Sequence, residues 1–360
     1  MRRCALCLVP DRVSGVQLAA DGICNLCRDP VALAKESAEA EQARAVYEAD
    51  LEKTLSDVRG QGEYDCLVPL SGGKDSIYLL YRLSVELKLK VLAFTVDINI
   101  PAIAWDNIRR ALAKLNIDHL SYSPSAAFYR KLFRYLLCNQ EERGAVYTLS
   151  YVYAPLFEGD AIRLAMAKGI PLVLAGYSPG QPEPERMLYE FSPQLIHNTD
   201  WTPPELINCG QFSREELDRF YNPTLLPAGT AFPRYLAPFH AWSYNQEEIM
   251  RKVVDYGLVA SSKNASPIHS NYPINWLLMY SDLRTFGYNP YAPEFASLIR
   301  HGKANRSYWR LMGPIVDFLI LNKLGPGKEV SRSMDWLGLQ ADDLRITRPR
   351  GVYDPVLDPR

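Results

Sequence analysis

Leu70-Ser71-Gly72-Gly73-Lys74-Asp75-Ser76 is the stretch that decides how this chain folds. Before it, Asp65 to Leu70 is a short apolar run that reads as a strand buried on both faces. After it, Ile77, Leu80, Leu83 and Leu87 recur at helical spacing, which predicts a helix from Ser76 to Leu87. Strand, glycine pair and helix together make a phosphate site. Gly72 and Gly73 let the backbone turn sharply and bring amides close to an anion. The free N–H groups at the helix start then favour negative charge. Ser71 and Ser76 add hydroxyls and Lys74 a point charge, while Asp75 is placed to hold a metal ion or accept a hydrogen bond. A bare Gly-Gly would fit any strand-to-helix turn; the full Ser-Gly-Gly-Lys-Asp-Ser run after an apolar strand asks for more. It is not the Walker A pattern, since its lysine follows two adjacent glycines.

Working outward, residues 63 to about 180 alternate strand and helix, as a doubly wound α/β fold with a parallel sheet would. Lys90–Val96 is a second buried strand, Ile103–Leu115 a helix, and His119–Tyr122 a third strand. Ser123 reads as an N-cap with Pro124 at the first helical position, opening a helix to Leu137. A helix from Pro155 to Lys168 and a strand from Ile170 to Ala175 follow. Ligands of such sheets sit beyond the carboxyl ends of the strands, here Ser71–Ser76, Thr95–Asn99 and Gly176–Gln181. Asp97 is the leading single residue at the second end, with a turn-capping carboxylate as its equal alternative.

Four of the seven cysteines fall in the first thirty residues, as Cys4-x-x-Cys7 and Cys24-x-x-Cys27. Two such knuckles can close one tetrahedral metal site, and Asp21-Gly22 suits a hairpin turn before the second. Structural zinc is the favoured occupant; an iron–sulfur cluster and a pair of disulfides are its rivals. Val31–Val58 is Ala-, Glu- and Lys-rich with helical spacing and reads as a linker ended near Gly60 and Gly62.

Residues 182 to 235, dense in Pro, Tyr, Asn and Thr, read as a substrate loop or as an interface arm, and a homo-oligomer is one expected assembly. Ser213 with Glu216, and Asn245 with Glu248, read as capping boxes. Helices are expected over Ile274–Phe286, Pro293–Arg300 and Tyr308–Leu324. His269, in the loop between Ser266 and Tyr272, is a candidate base or substrate contact, although a lone loop histidine is more often structural.

With 40 Lys and Arg against 41 Asp and Glu, the net charge is −1 and nothing global argues for nucleic acid. No apolar run reaches the length of a membrane span, and the expectation is a soluble cytoplasmic protein.

Ser71-Gly72-Gly73-Lys74-Asp75-Ser76 resembles the loop of the PP-loop ATP pyrophosphatases. That resemblance implies that the loop grips the pyrophosphate of ATP, with magnesium bridging the phosphates. It also implies that Thr95 lines the adenine and ribose, while Gly176 and Ser178 border the α-phosphate and substrate. Lys74, Asp75 and Asp97 would be the catalytic residues. With the ribbon in front, the chain looks similar to the N-acetyl sugar amidotransferases, which adenylate an acetamido oxygen and let ammonia displace AMP. The implied acceptor is a small molecule, a sugar or an amino or carboxyl compound, and a separate glutaminase subunit would supply ammonia. The chain would then divide into a zinc ribbon over 1–30, a helical linker over 31–62, a PP-loop domain over 63–200, and a mainly helical region over 201–360. A further cysteine motif of that family has no counterpart in 141–155. Sulfur transfer to tRNA or a small molecule is the first alternative, with Cys138 and Cys209 as its candidates, and a non-catalytic nucleotide-binding protein the second.

Overall fold

The computed structural model describes residues 1–179, 189–265 and 272–353. Its centre is a five-stranded parallel sheet of β1 (Cys66–Pro69), β2 (Val91–Val96), β3 (Asp118–Tyr122), β5 (Leu172–Leu174) and β6 (Arg234–Leu236). The spatial order is β3-β2-β1-β5-β6, so the winding reverses between β1 and β5. Such a reversal opens a crevice at the carboxyl ends of the two strands. Two further strands, β4 (Gln140–Glu141) and β7 (Ile346–Arg348), pair apart from this sheet.

Alternate residues of β1, β2 and β5 enter opposite cores, which is why these strands read as unbroken apolar runs, while the edge strand β3 is largely exposed. Cys66, Val68, Val91, Ala93, Leu172 and Leu174 pack with Ile77, Leu80, Ile108 and Val253 on one face. Leu67, Leu92, Phe94, Val96 and Val173 pack with Ala161, Ile162, Trp201 and Tyr221 on the other. The helix Pro30–Val58 is more than a spacer, because its Leu51, Leu55 and Val58 belong to the first of these cores. A third core joins the helices Ala126–Cys138, Ala145–Lys168, Ile274–Phe286 and Lys328–Leu337.

Several boundaries differ from the sequence reading. The helix expected from Pro155 begins at Ala145 and carries Pro155 inside it. Its first amides are capped from far away: Ala145 N and Val146 N donate to the two Asp282 carboxylate oxygens at 2.6 and 3.0 Å. The next helix upstream starts at Ala126 with Ser125 as N-cap, not at Ser123 and Pro124. The sheet is also not completed within 63–200, since β6 comes from beyond residue 200 and pairs with β5 at Val173–Tyr235. Ser213 and Glu216 do form a capping box, and Asn245 accepts from Glu248 N at 3.0 Å. His269, Gly180 and Gln181 lie outside the described residues.

Candidate active site

The loop between β1 and the helix Lys74–Tyr81 occupies the crevice at the winding reversal. Gly72 adopts φ +78°, and a Cβ there would fall 2.5 Å from the Ala104 carbonyl oxygen. Asn107 Nδ2 holds the Gly72 carbonyl at 3.1 Å, fixing the turn from the neighbouring helix. Ser71 Oγ and Ser76 Oγ lie 3.2 Å apart across the turn, and Ser76 Oγ donates to Gly73 O at 3.1 Å. From the β5 side Gly176 packs so tightly that a Cβ would meet Ser76 N and Cα at 3.0 Å. Both carboxyl ends therefore press on the first turn of one helix, where unpaired amides favour an anion.

Lys74 Nζ is 2.6 Å from Asp75 Oδ2, and the Tyr244 hydroxyl donates to Asp75 Oδ1 at 3.1 Å. Burial works against the Lys74 charge, but Asp75 and Tyr244 outweigh it and hold the ammonium above the ordinary lysine range. Burial, with the Asp75 charge beside it, pushes the Tyr244 phenol up to about 12, so it stays a donor. A lysine held charged beside a helix N-terminus is equipped to stabilise charge on a departing phosphate group.

These groups face a cavity of about 750 Å³. Ser71, Gly73, Lys74, Asp75, Ser76, Gly176 and Ser178 all border it, so most of the residues expected from the sequence come together. Gly72, Thr95 and Asp97 do not. The Thr95 hydroxyl donates to Leu70 O at 2.7 Å and meets His119 Nε2 at 2.9 Å. Asp97 Oδ1 accepts from Ile100 N at 3.1 Å, the turn-capping role that was its alternative. Sequence reasoning missed the rest of the lining: Tyr244, His240, Glu294 and the aromatic Trp276, Tyr291, Phe295 and Trp309. Their local patterns look like core spacing, and nothing in them signals a site some two hundred residues from the loop.

The cysteine knuckles form one cluster, with the four sulfurs of Cys4, Cys7, Cys24 and Cys27 all within 4.8 Å of one another. Cys4 Sγ to Cys27 Sγ is 3.9 Å and Cys7 Sγ to Cys24 Sγ 3.7 Å, close to the about 3.8 Å between thiolates around a tetrahedral zinc. Leu6 N and Cys24 N point at Cys4 Sγ from 3.4 and 3.3 Å, as amides do at a thiolate. Gly22 takes φ +77° in the expected turn. This four-cysteine metal site is built against the C-terminal helices: Ala296 shares its core, and Arg300 Nη1 donates to Cys7 Sγ at 3.5 Å. Arg3 pairs with Asp317 at 3.0 Å, and Arg3, Cys7 and Leu8 border the cavity. The ribbon is thus a wall of the site.

No family model and no curated protein matches the chain. Among solved structures, it is similar to the U34-tRNA thiolase NcsA from Methanococcus maripaludis with its [4Fe-4S] cluster, at 11% identity and TM-score 0.35 over 88% of this chain and 85% of that one. It is similar to NMN synthetase from Francisella tularensis at 14% identity and TM-score 0.32, over 84% of this chain and 97% of that one. The NH3-dependent NAD synthetase from Campylobacter jejuni gives 15% identity and TM-score 0.34, again over 84% and 97%. At these values the likenesses carry no weight for chemistry, and the site is read from its own geometry.

Proposed function

We propose that the chain is a PP-loop ATP pyrophosphatase that adenylates an oxygen of a small-molecule amide or carboxyl group and then transfers nitrogen to it. What carries this reading is the placement of Ser71, Gly73, Lys74 and Ser76 at the winding reversal, facing a cavity with room for a nucleotide and a second molecule. The β- and γ-phosphates would rest on the loop amides and hydroxyls, leaving the α-phosphorus toward the open half of the cavity. The acceptor oxygen attacks that phosphorus, the bond to the pyrophosphate breaks, and Lys74 stabilises the charge that leaves. Ammonia then adds at the activated carbon and AMP departs with the bonding electron pair.

Asp75 is the loop carboxylate that fits a magnesium ion once the phosphates draw Lys74 away from it. Magnesium would supply charge neutralisation along the phosphates. For the ribbon we propose structural zinc, supported by the four thiolates and their spacing. Asp97 is given no catalytic role.

Sulfur transfer is a second reading, and one observation favours it: Cys7, a ligand of the cluster, borders the cavity. Cys66, Cys138 and Cys209 do not border it. The test is AMP formation from ATP with candidate amide and carboxyl acceptors, run with ammonium and then with sulfide. Ammonium-dependent AMP supports the proposal; AMP formed only with sulfide transfers the site to the second reading.

A further inference from the structure

One wall of the cavity is formed by the helix Ala292–Arg300. One end of this helix is tied to the ribbon through Ala296 and Arg300. Glu294, in its first turn, borders the cavity, as do Tyr291 and Phe295. Phe295 stacks on Trp309 at 3.6 Å between ring centroids, and Trp309 also borders the cavity. Other charged groups of the cavity have partners. Lys74 pairs with Asp75, and Arg3 with Asp317, whose second oxygen accepts from Asn289 Nδ2 at 3.0 Å. Glu294 has no hydrogen-bond or ion-pair partner among the described residues.

A carboxylate that faces a cavity without a partner is costly, because burial disfavours its charge. Burial pushes the Glu294 carboxyl up to about 8, with Lys74 opposing and Asp75 adding to the rise. A ligand that brings a cation to it recovers that cost. A carboxylate in a cavity that aromatic rings also border suits a nitrogen cation, which gains from the charge and from ring quadrupoles. They do not suit a divalent metal, which asks for several oxygens in fixed geometry.

We propose that Glu294, with Tyr291, Phe295 and Trp309, is the recognition site for a nitrogen cation, either ammonium itself or a protonated amino group of the acceptor. The inference rests on the proposed function for the meaning of the site, but not for the binding. In the reaction, ammonium held there gives one proton to the Glu294 carboxylate and leaves as ammonia, the neutral nucleophile. If the cation is the acceptor's own amine, the contact orients the acceptor and no proton moves.

The test is a thermal-shift titration of the full-length chain without nucleotide, using ammonium chloride, methylammonium chloride, potassium chloride and magnesium chloride at constant ionic strength. The expected result is a saturable rise in melting temperature with a nitrogen cation beyond that with potassium. Glu294→Gln should weaken it at least tenfold, and Glu294→Asp should restore part of it. Ammonium alone acting identifies the nucleophile's site, and methylammonium acting as well identifies an acceptor amine. Equal titrations of wild type and Glu294→Gln, or a response to magnesium only, would overturn the proposal. A chain that binds no ATP but shows the Glu294-dependent response defeats the proposed function alone. One that forms AMP without that response defeats only this inference.

Discussion

Gly72 lies beneath Ala104 so closely that an added Cβ would sit 2.5 Å from the Ala104 carbonyl oxygen, in a backbone conformation of φ +78°. Two constraints therefore meet at one position of the loop between β1 and the helix Lys74–Tyr81. Gly72→Ala should cost about 1–3 kcal/mol of stability through the left-handed backbone alone, with the overlap added to it. ATP affinity should fall further than stability, because relief of the overlap must move the loop. Denaturant unfolding and equilibrium ATP binding check both; a variant as stable and as tight as wild type would show that the loop yields freely.

Under the proposed function, Lys74→Ala removes the charge that would face the departing pyrophosphate. AMP formation should drop by about 10²–10³-fold, the usual loss when one oriented stabilising group is removed. Tyr244→Phe should have a smaller effect, since it removes only the hydroxyl that steadies Asp75 at 3.1 Å. Steady-state assays of the two variants, with circular dichroism to confirm the fold, separate these roles.

Asp282→Asn should destabilise the third core by about 1–3 kcal/mol, because one of the two amides that Asp282 caps loses its acceptor. Urea unfolding reads the change. A null result would mean that Ala145 and Val146 find other partners.

How much of this could be read from the sequence follows from where the forces act. β1, β2 and β5 were legible because burial on both faces leaves an unbroken apolar run, whereas β3 is a largely exposed edge strand. The phosphate loop was legible because its glycines, lysine and hydroxyls are contiguous. The start of the helix at Ala145 was not, since its cap comes from Asp282, 137 residues later. β6 is three residues long and exists through its pairing with β5, which no local period announces. Thr95 and Asp97 stood at the right strand end, yet the Thr95 hydroxyl is engaged by Leu70 and His119, and Asp97 Oδ1 by Ile100 N. Tyr244 and Glu294 reach the site only through the tertiary fold.

His240 borders the cavity, and burial lowers its imidazole to about 4. The unfolded chain takes up a proton near pH 6.5 while the native state does not. Stability should therefore fall as pH drops from 6.5 to about 4 and level off below, by on the order of 3 kcal/mol from this group. His240→Phe should remove that portion of the pH dependence. Unfolding curves across this range compare the two proteins; identical pH profiles would place the histidine in solvent.

Chelation of the ribbon metal should loosen the wall formed by Arg3, Cys7 and Leu8 while leaving the loop in place. ATP binding is expected to survive treatment with a strong chelator, and acceptor-dependent AMP formation to be lost. Elemental analysis of the native protein should show about one zinc per chain if the ribbon holds the proposed structural zinc. Iron and sulfide in its place would favour the sulfur-transfer reading.

The most direct measurement is an experimental structure of the chain with bound ATP. The β- and γ-phosphates should lie within hydrogen-bond distance of the Ser71 and Ser76 hydroxyls and the Gly73 amide, with Lys74 turned from Asp75 toward them. Nucleotide density elsewhere, with that turn empty, would contradict the account.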